Sequence, residues 1–556
     1  MHITQLVKSI TLVSLLSFSS FSEAIPNCVV PSNTAIQNTA LPRLQVVGNK
    51  IKTANTSPQT IVLKGFNFTN NYYMDHVVYP SAPCDYAIEN DVKRIAGWKA
   101  NSIRLVLRWD YFTDTNGAFS PANYKSLGYS LIDQYIKWGQ KYGVYIILDL
   151  HIVPEDVDFG DNTIWSNTAA RQKFLELWWN IAKHYRNNNT IAGYDVFNEP
   201  QPYNKDDWWT LAQDAVNNIR LTGDQHIVFV EAPTTTDLMF GNQPLVGKNI
   251  VYSFHSYEPY LISHKGIPDL NALPIPTDYD YPGRVLIGTA WKDWAKDGID
   301  IGSKISTWRS QKSTLKVPDN VGAEFATFKL AVTGNTGSVW FDQMTWKLNG
   351  VTKQVWNNSA EQITSSNTPL AWGFWGNNTT GSLSKTKAYQ GKNSLQVTSR
   401  STDGFGVWVQ GNGYFINPLL RIKPKDKIDV HAMVYAPNNQ GLISVSVDYI
   451  KGIYRNYSKT DSIARLATVR GDMAKYLDWA KTYNVPLYVG EFGAISEAGI
   501  SRINLIDDYL KVFNKEGVSW SLWGYRDVGN SNTHFSLYFN NQLDTALFPI
   551  ITNALK

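Results

Sequence analysis

The sequence of 556 residues predicts an α/β fold: an eight-stranded β/α barrel interrupted by an inserted all-β sandwich. Three observations lead there. Short apolar runs rich in Val and Ile alternate with stretches whose apolar residues recur at helical spacing, the pattern of a parallel sheet covered by helices. Counting those runs gives eight, the number that closes a barrel. The alternation breaks once, where short segments of period two, punctuated by Gly, Asn, Ser and Thr, take its place.

At the N-terminus, Lys8, an apolar run over 10–21 and the small residues of Ser22-Glu23-Ala24 read as a secretory signal over 1–24. The expected mature protein is secreted, extracellular or periplasmic. That apolar run is short for a membrane span and no later segment qualifies, so no membrane partner is expected. Cys28 and Cys84 are the two cysteines. They either pair after export, tying the N-terminal arm to an early loop, or remain thiols; export favours pairing.

A hairpin is expected over 44–65, with strand-like runs around Gly48-Asn49 and at 60–63. Barrel strands follow at 61–66, 102–107, 144–150, 192–197, 226–230 and 250–254. Helical spacing covers 123–142, 168–185 and 206–221 between them. The pattern resumes with a helix at 463–483, strands at 486–489 and 518–522, and helices at 501–516 and 543–555. The barrel is therefore expected in two parts, 25–288 and 460–556, with the sandwich over 289–459 in the loop after the sixth strand, at the end of a barrel that tolerates insertions. Sandwich strands are expected at 325–332, 338–346, 394–398, 405–409, 427–435 and 442–449.

A net charge of +4 without a dense Lys/Arg run argues against a nucleic-acid partner. The aromatic content is high, with 20 Trp and 30 Tyr, and 9 of those Trp fall within 289–459. Flat rings stack on the CH faces of sugars, although many will be core. Trp372, Trp375 and Trp408 are open to either reading.

Barrel active sites lie at the C-terminal ends of the strands. There the sequence places Arg104 on strand 2, Asp149 and His151 on strand 3, and Asn198 and Glu199 after strand 4. Strand 5 ends in Glu231, strand 6 in His255 and Tyr257, strand 7 in Glu491 and strand 8 in Trp523. Two carboxylates facing each other suit retaining glycosidic hydrolysis, one as nucleophile and one as acid/base. Arg104 and Tyr257 are expected to aim and ionise Glu491. Asn198 is expected to hold a sugar hydroxyl, His151 and His255 to tune the acid, and Trp523 to floor the sugar site. Asp149 reads as a brace for its strand end. Glu231 and Glu258 are left outside the site, and no metal or cofactor is expected, because no ligand spacing appears along the chain.

The segments Leu63-Lys-Gly-Phe-Asn, Ser102-Ile-Arg-Leu, Leu148-Asp-Leu-His, Asn198-Glu-Pro, His255-Ser-Tyr-Glu-Pro, Gly490-Glu-Phe-Gly and Ser519-Trp-Ser-Leu-Trp resemble glycoside hydrolase family five, in the family's order. The family holds endoglucanases, mannanases and related β-glycanases. The resemblance implies Glu199 as acid/base and Glu491 as nucleophile. It implies substrate contacts from Arg104, His151, Asn198, His255, Tyr257 and Trp523. The departure is the long interruption between strands 6 and 7. Within it, Gly391-Lys-Asn-Ser-Leu-Gln-Val and Val339-Trp-Phe-Asp-Gln-Met resemble pieces of a jelly-roll carbohydrate-binding module in reversed order, which implies a circular permutation. The implied activity is endo-hydrolysis of a β-1,4-glucan by a monomer, with mannan, xyloglucan or β-1,3-glucan as alternative substrates. A glycan-binding protein on an inactive barrel is the competing class.

Overall fold

The computed structural model describes residues 41–69, 89–114, 116–157, 162–202, 204–234, 240–267, 277–295, 299–363, 368–411, 419–527 and 534–556. The expected signal segment, Cys28 and Cys84 lie outside the described residues.

The chain enters through an antiparallel hairpin, β1 (Leu44–Val47) and β2 (Lys50–Thr53). Gly48 turns it with a φ of +57°, a conformation that suits glycine. The second strand therefore lies earlier than the expected run at 60–63, where Thr60 makes only an isolated bridge to Lys52. Leu44 and Ile51 pack with Leu63, Tyr145, Ile227 and Tyr488, so the hairpin closes the N-terminal end of the barrel.

Six barrel strands follow: β3 (Lys64–Phe68), β4 (Ser102–Arg108), β5 (Tyr145–Ile152), β6 (Ile191–Asp195), β7 (Ile227–Glu231) and β8 (Ile250–Ser256). They are almost wholly buried, as strands enclosed on both faces must be. Between them run α1 (Glu89–Gly97), α2 (Leu127–Tyr142), α3 (Thr168–Tyr185) and α4 (Lys205–Leu221), and a short α5 (Tyr260–Ser263) follows β8. Asn167 and Asn204 cap α3 and α4 by accepting from backbone N–H groups of the first turn.

The sandwich then unfolds as β9 (Arg284–Trp294), β10 (Ile299–Ile301), β11 (Ile305–Lys316), β12 (Phe325–Thr333), β13 (Gly337–Leu348), β14 (Val351–Lys353) and β15 (Trp372–Asn377). It continues with β16 (Thr379–Ser384), β17 (Ser394–Ser399), β18 (Phe405–Gln410), β19 (Leu420–Arg421), β20 (Lys427–Ala436) and β21 (Leu442–Asn456). One antiparallel sheet runs β10-β21-β12-β18-β15, with β9 on β21 and β19 on β12; the other runs β11-β20-β13-β17-β16, with β14 on β13. Their inner faces share a core that includes Phe328, Leu330, Phe341, Trp346, Leu395, Trp372 and Trp408, while Trp375 points to solvent. Phe341 stands directly opposite Leu395. The first strand begins at Arg284, a few residues ahead of the expected boundary, and Phe325, Ile450 and Tyr454 pack into the barrel's own core.

The barrel resumes after two helices, α6 (Ser462–Asp472) and α7 (Ala474–Tyr483), split at Met473 where one continuous helix was expected. Strands β22 (Leu487–Phe492) and β23 (Ser519–Leu522) flank α8 (Ile500–Glu516), and α9 (Phe548–Leu555) ends the chain, starting later than expected. The closed order is β22-β23-β3-β4-β5-β6-β7-β8.

Candidate active site

Arg104 on β4 points into the barrel and is fully buried. An isolated guanidinium there would carry a large desolvation cost, so its neighbours are acidic. It pairs with Asp149 (2.9 Å), Asp195 (2.8 Å), Glu231 (2.8 Å) and Glu491 (2.8 Å), each from a different strand. Its Nη groups also donate to Asn67 Oδ1 (3.0 Å) and Asn198 Oδ1 (2.9 Å). Burial alone would lower the guanidinium; these carboxylates hold it well above its ordinary value. Asp149, Asp195 and Glu231 bring oxygens within 4.8 Å of one another, the kind of cluster a cation occupies. The cation there is Arg104.

Glu491 lies one residue after a β-bulge in β22, and a bulge re-aims the following side chain. Its Oε1 accepts from Arg104 Nη1 and its Oε2 from the Tyr257 hydroxyl (2.9 Å). Gly490 makes room for this: a Cβ there would stand 2.9 Å from Ser253 Oγ and 3.0 Å from His255 Nε2. Its carbonyl accepts from Asn67 Nδ2 at 2.9 Å.

Glu199 sits just past β6 with a φ of +47°, an uncommon conformation for a residue with a side chain. The strain is held by its own N–H, which donates to Glu231 Oε2 at 2.8 Å. Its Oε1 meets His255 Nδ1 at 2.7 Å, while His255 Nε2 faces Glu231 Oε1 at 3.2 Å and Nδ1 also lies 3.5 Å from Glu491. A carboxylate oxygen near each ring nitrogen favours the charged form of the imidazole. Burial would lower His255, but Glu231, Glu491 and the bond to Glu199 override it and raise it well above 6.5. Burial likewise pushes up the carboxyl of Glu199, and the His255 hydrogen bond outweighs it, leaving Glu199 below 4.5. For Glu491 burial prevails over His255 and Arg104, and the carboxyl is raised. Glu231 is brought down to about 2, because His255 and Arg104 more than offset its burial. Asp195 is raised well above 3.8 by burial and by the Glu231 charge.

His151 Nδ1 donates to Asp149 Oδ2 at 2.8 Å, which leaves Nε2 to accept from Asn198 Nδ2 at 3.3 Å. Trp523 stacks on the His151 ring at a centroid distance of 5.4 Å and packs with Val106 and Ile152. An oxygen of Glu199 and an oxygen of Glu491 lie within 4.8 Å of each other.

All eight expected side chains thus converge on one end of the barrel. The sequence reading missed Asn67 and Asp195 and left out Glu231, which touches Arg104, His255 and the Glu199 backbone. Its only signal was its place at the end of a buried strand. Glu258, also left outside the site, is exposed.

The chain has recognisable relatives. Cellodextrinase A of Ruminococcus flavefaciens is 26% identical over 213 residues, covering 37% of this chain and 61% of its own length. Beta-xylosidase of Phanerodontia chrysosporium is 27% identical over 269 residues, covering 40% of this chain and 55% of its own. Endoglucanase C of Acetivibrio thermocellus is 24% identical over 204 residues, with coverages of 36% and 59%. The chain therefore spans between half and two thirds of the length of these relatives. No helix among the described residues is long and apolar enough to cross a membrane. The cellulase family model matches residues 64–413, more than half of the sequence, and the chain belongs to glycosyl hydrolase family 5.

Proposed function

We propose that the protein is a secreted retaining glycoside hydrolase that cleaves internal β-1,4 bonds of a glucan, with Glu491 as nucleophile and Glu199 as acid/base. The observation that carries this reading is the short approach of the two carboxylates, with oxygens within 4.8 Å. Retaining enzymes hold these groups about 5–5.5 Å apart, whereas inverting ones leave about 6.5–9.5 Å for a water.

The Glu491 carboxylate attacks the anomeric carbon while the glycosidic oxygen takes a proton from Glu199, releasing the leaving sugar and forming a Glu491 ester. Water then attacks the same carbon, Glu199 takes its proton, and Glu491 leaves. The proton for the first half is held between His255 Nδ1 and Glu199 Oε1, 2.7 Å apart. Its transfer from imidazolium to carboxylate makes Glu199 the acid. Arg104 and Tyr257 hold both Glu491 oxygens in line. Asn198, with its amide fixed between Arg104 and His151, presents to the sugar hydroxyl. The roles of Glu199 and Glu491 as a partnered pair support an enzyme over a binding protein. Endoglucanase and cellodextrinase relatives support a β-glucan substrate; mannan, xyloglucan and β-1,3-glucan are the alternatives. We further read the sandwich, 289–459, as a circularly permuted carbohydrate-binding module and the mature chain as a monomer.

Assaying the parent, Glu199→Gln and Glu491→Gln on these four polymers tests the reading. The parent should act best on the β-1,4-glucan. Each variant should lose about 10²-fold or more in kcat. A variant with parental activity, or a parent inert on every polymer, contradicts it.

A further inference from the structure

The sheet of the sandwich nearest the barrel has an outer face whose occupants can be read from its register. Phe325 stands opposite Ile450, and Ile450 opposite Trp291. Two residues along, Thr327 faces Asp448 and Asp448 faces Trp294. Lys329 comes next, beside Ser446. The last row runs Ser444, Ala331, Val407 and Trp375 across four strands. Alternate residues of a strand point the same way, so these side chains share one face, opposite the sandwich core that takes Phe328, Leu330 and Trp408.

The first row packs against the barrel through Phe325 and Ile450. From there the face runs on for roughly 20 Å at ~3.3 Å per residue. Its rims are bare aromatics: Trp291 is 54% exposed, Trp294 49% and Trp375 50%. Trp291 and Trp294 lie 6.1 Å apart, centroid to centroid. The floor holds an ion pair, Lys329 to Asp448 at 2.7 Å, with the Lys329 ammonium 5.2 Å from the Trp294 ring centre.

Large exposed rings in one patch mark a binding surface. Lys329 and Asp448 neutralise each other and are largely buried, so the exposed part of the face is aromatic, which suits a neutral ligand. Exposed flat rings match the apolar CH faces of a sugar polymer. We propose that this face binds a neutral β-linked glucan chain, with Trp291 and Trp294 stacking at the barrel end and Trp375 at the far end. The proposal rests on the β-glucan reading of the barrel. The face continues from the packed barrel interface, so it holds the polymer next to the domain that cleaves it.

The test uses the full chain with Trp291→Ala/Trp294→Ala, with Trp375→Ala, and with Tyr389→Ala, a control that is 48% exposed in the loop between β16 and β17 of the other sheet. Depletion onto microcrystalline cellulose is measured alongside turnover of a soluble cello-oligosaccharide and the melting temperature. Each tryptophan variant should bind about tenfold more weakly, with turnover, melting and the Tyr389→Ala control unchanged. Trp375→Phe should restore binding. Unchanged binding, an equal loss with Tyr389→Ala, or turnover falling in step overturns the proposal. So does a parent dimer that the variants dissociate without losing cellulose. A parent that binds cellulose through these tryptophans but cleaves no glucan would overturn the hydrolase reading and leave this one standing.

Discussion

Arg104 is the residue on which the site is strung. It ties β4 to carboxylates on β5, β6, β7 and β22, so one side chain sets the relative positions of both proposed catalytic groups. Removing one partner from a buried ionic cluster strands the others without water, at a cost of about 3–5 kcal/mol. Arg104→Met should lower unfolding stability by about that amount in urea titration, with activity lost. A loss below about 1 kcal/mol would mean that the carboxylates relax independently of it. The residues legible in the sequence were those with a motif and a strand end, such as Asn198-Glu199-Pro200 and Gly490-Glu491. Glu231, Asp195 and Asn67 were not, because their meaning lies in partners across the barrel. Asp149 was legible in part: the expected brace is its bond to His151, and its pair with Arg104 adds a second role.

At the scale of elements, β22 shows how backbone places chemistry. Its bulge and Gly490 together let Glu491 turn inward while His255 lies against the strand. Gly490→Ala puts a methyl group about 3 Å from the His255 ring and Ser253, nearer than packing tolerates. The variant should stay folded and lose at least tenfold in kcat, since a displacement near 1 Å at a catalytic group costs about 10²-fold. A circular dichroism melt with steady-state kinetics reads both, and parental kcat would refute the role given to Gly490. The buried barrel strands were legible from continuous apolar runs. Several sandwich strands were not: β11 alternates few apolar residues with exposed Lys, Arg, Ser and Thr, and β15 and β16 carry glycines that look like turns. The break at Met473 was invisible because helical periodicity continues on both sides of it.

For the whole molecule, the β1–β2 hairpin closes the N-terminal end of the barrel, the sandwich docks through Phe325 and Ile450, and the acidic groups gather at the C-terminal ends of the strands. Their shifts set the pH response. Glu491 must be ionised, and burial raises it, so the acid limb of kcat/KM should fall above pH 4.5. The Glu199–His255 pair must keep its proton, and His255 is raised, so the alkaline limb should lie above pH 6.5. Loss of activity at or below 6.5 on the alkaline side would contradict the shared-proton arrangement. The central claim is that Glu491 bonds to the sugar. Incubation with a 2-deoxy-2-fluoro cellobioside bearing a good leaving group, followed by peptide mass spectrometry, tests it most directly. The account predicts one added fluorosugar on the peptide containing Glu491 and none in Glu491→Gln; a label on Glu199 or Glu231, or turnover with inversion and no label, would contradict it.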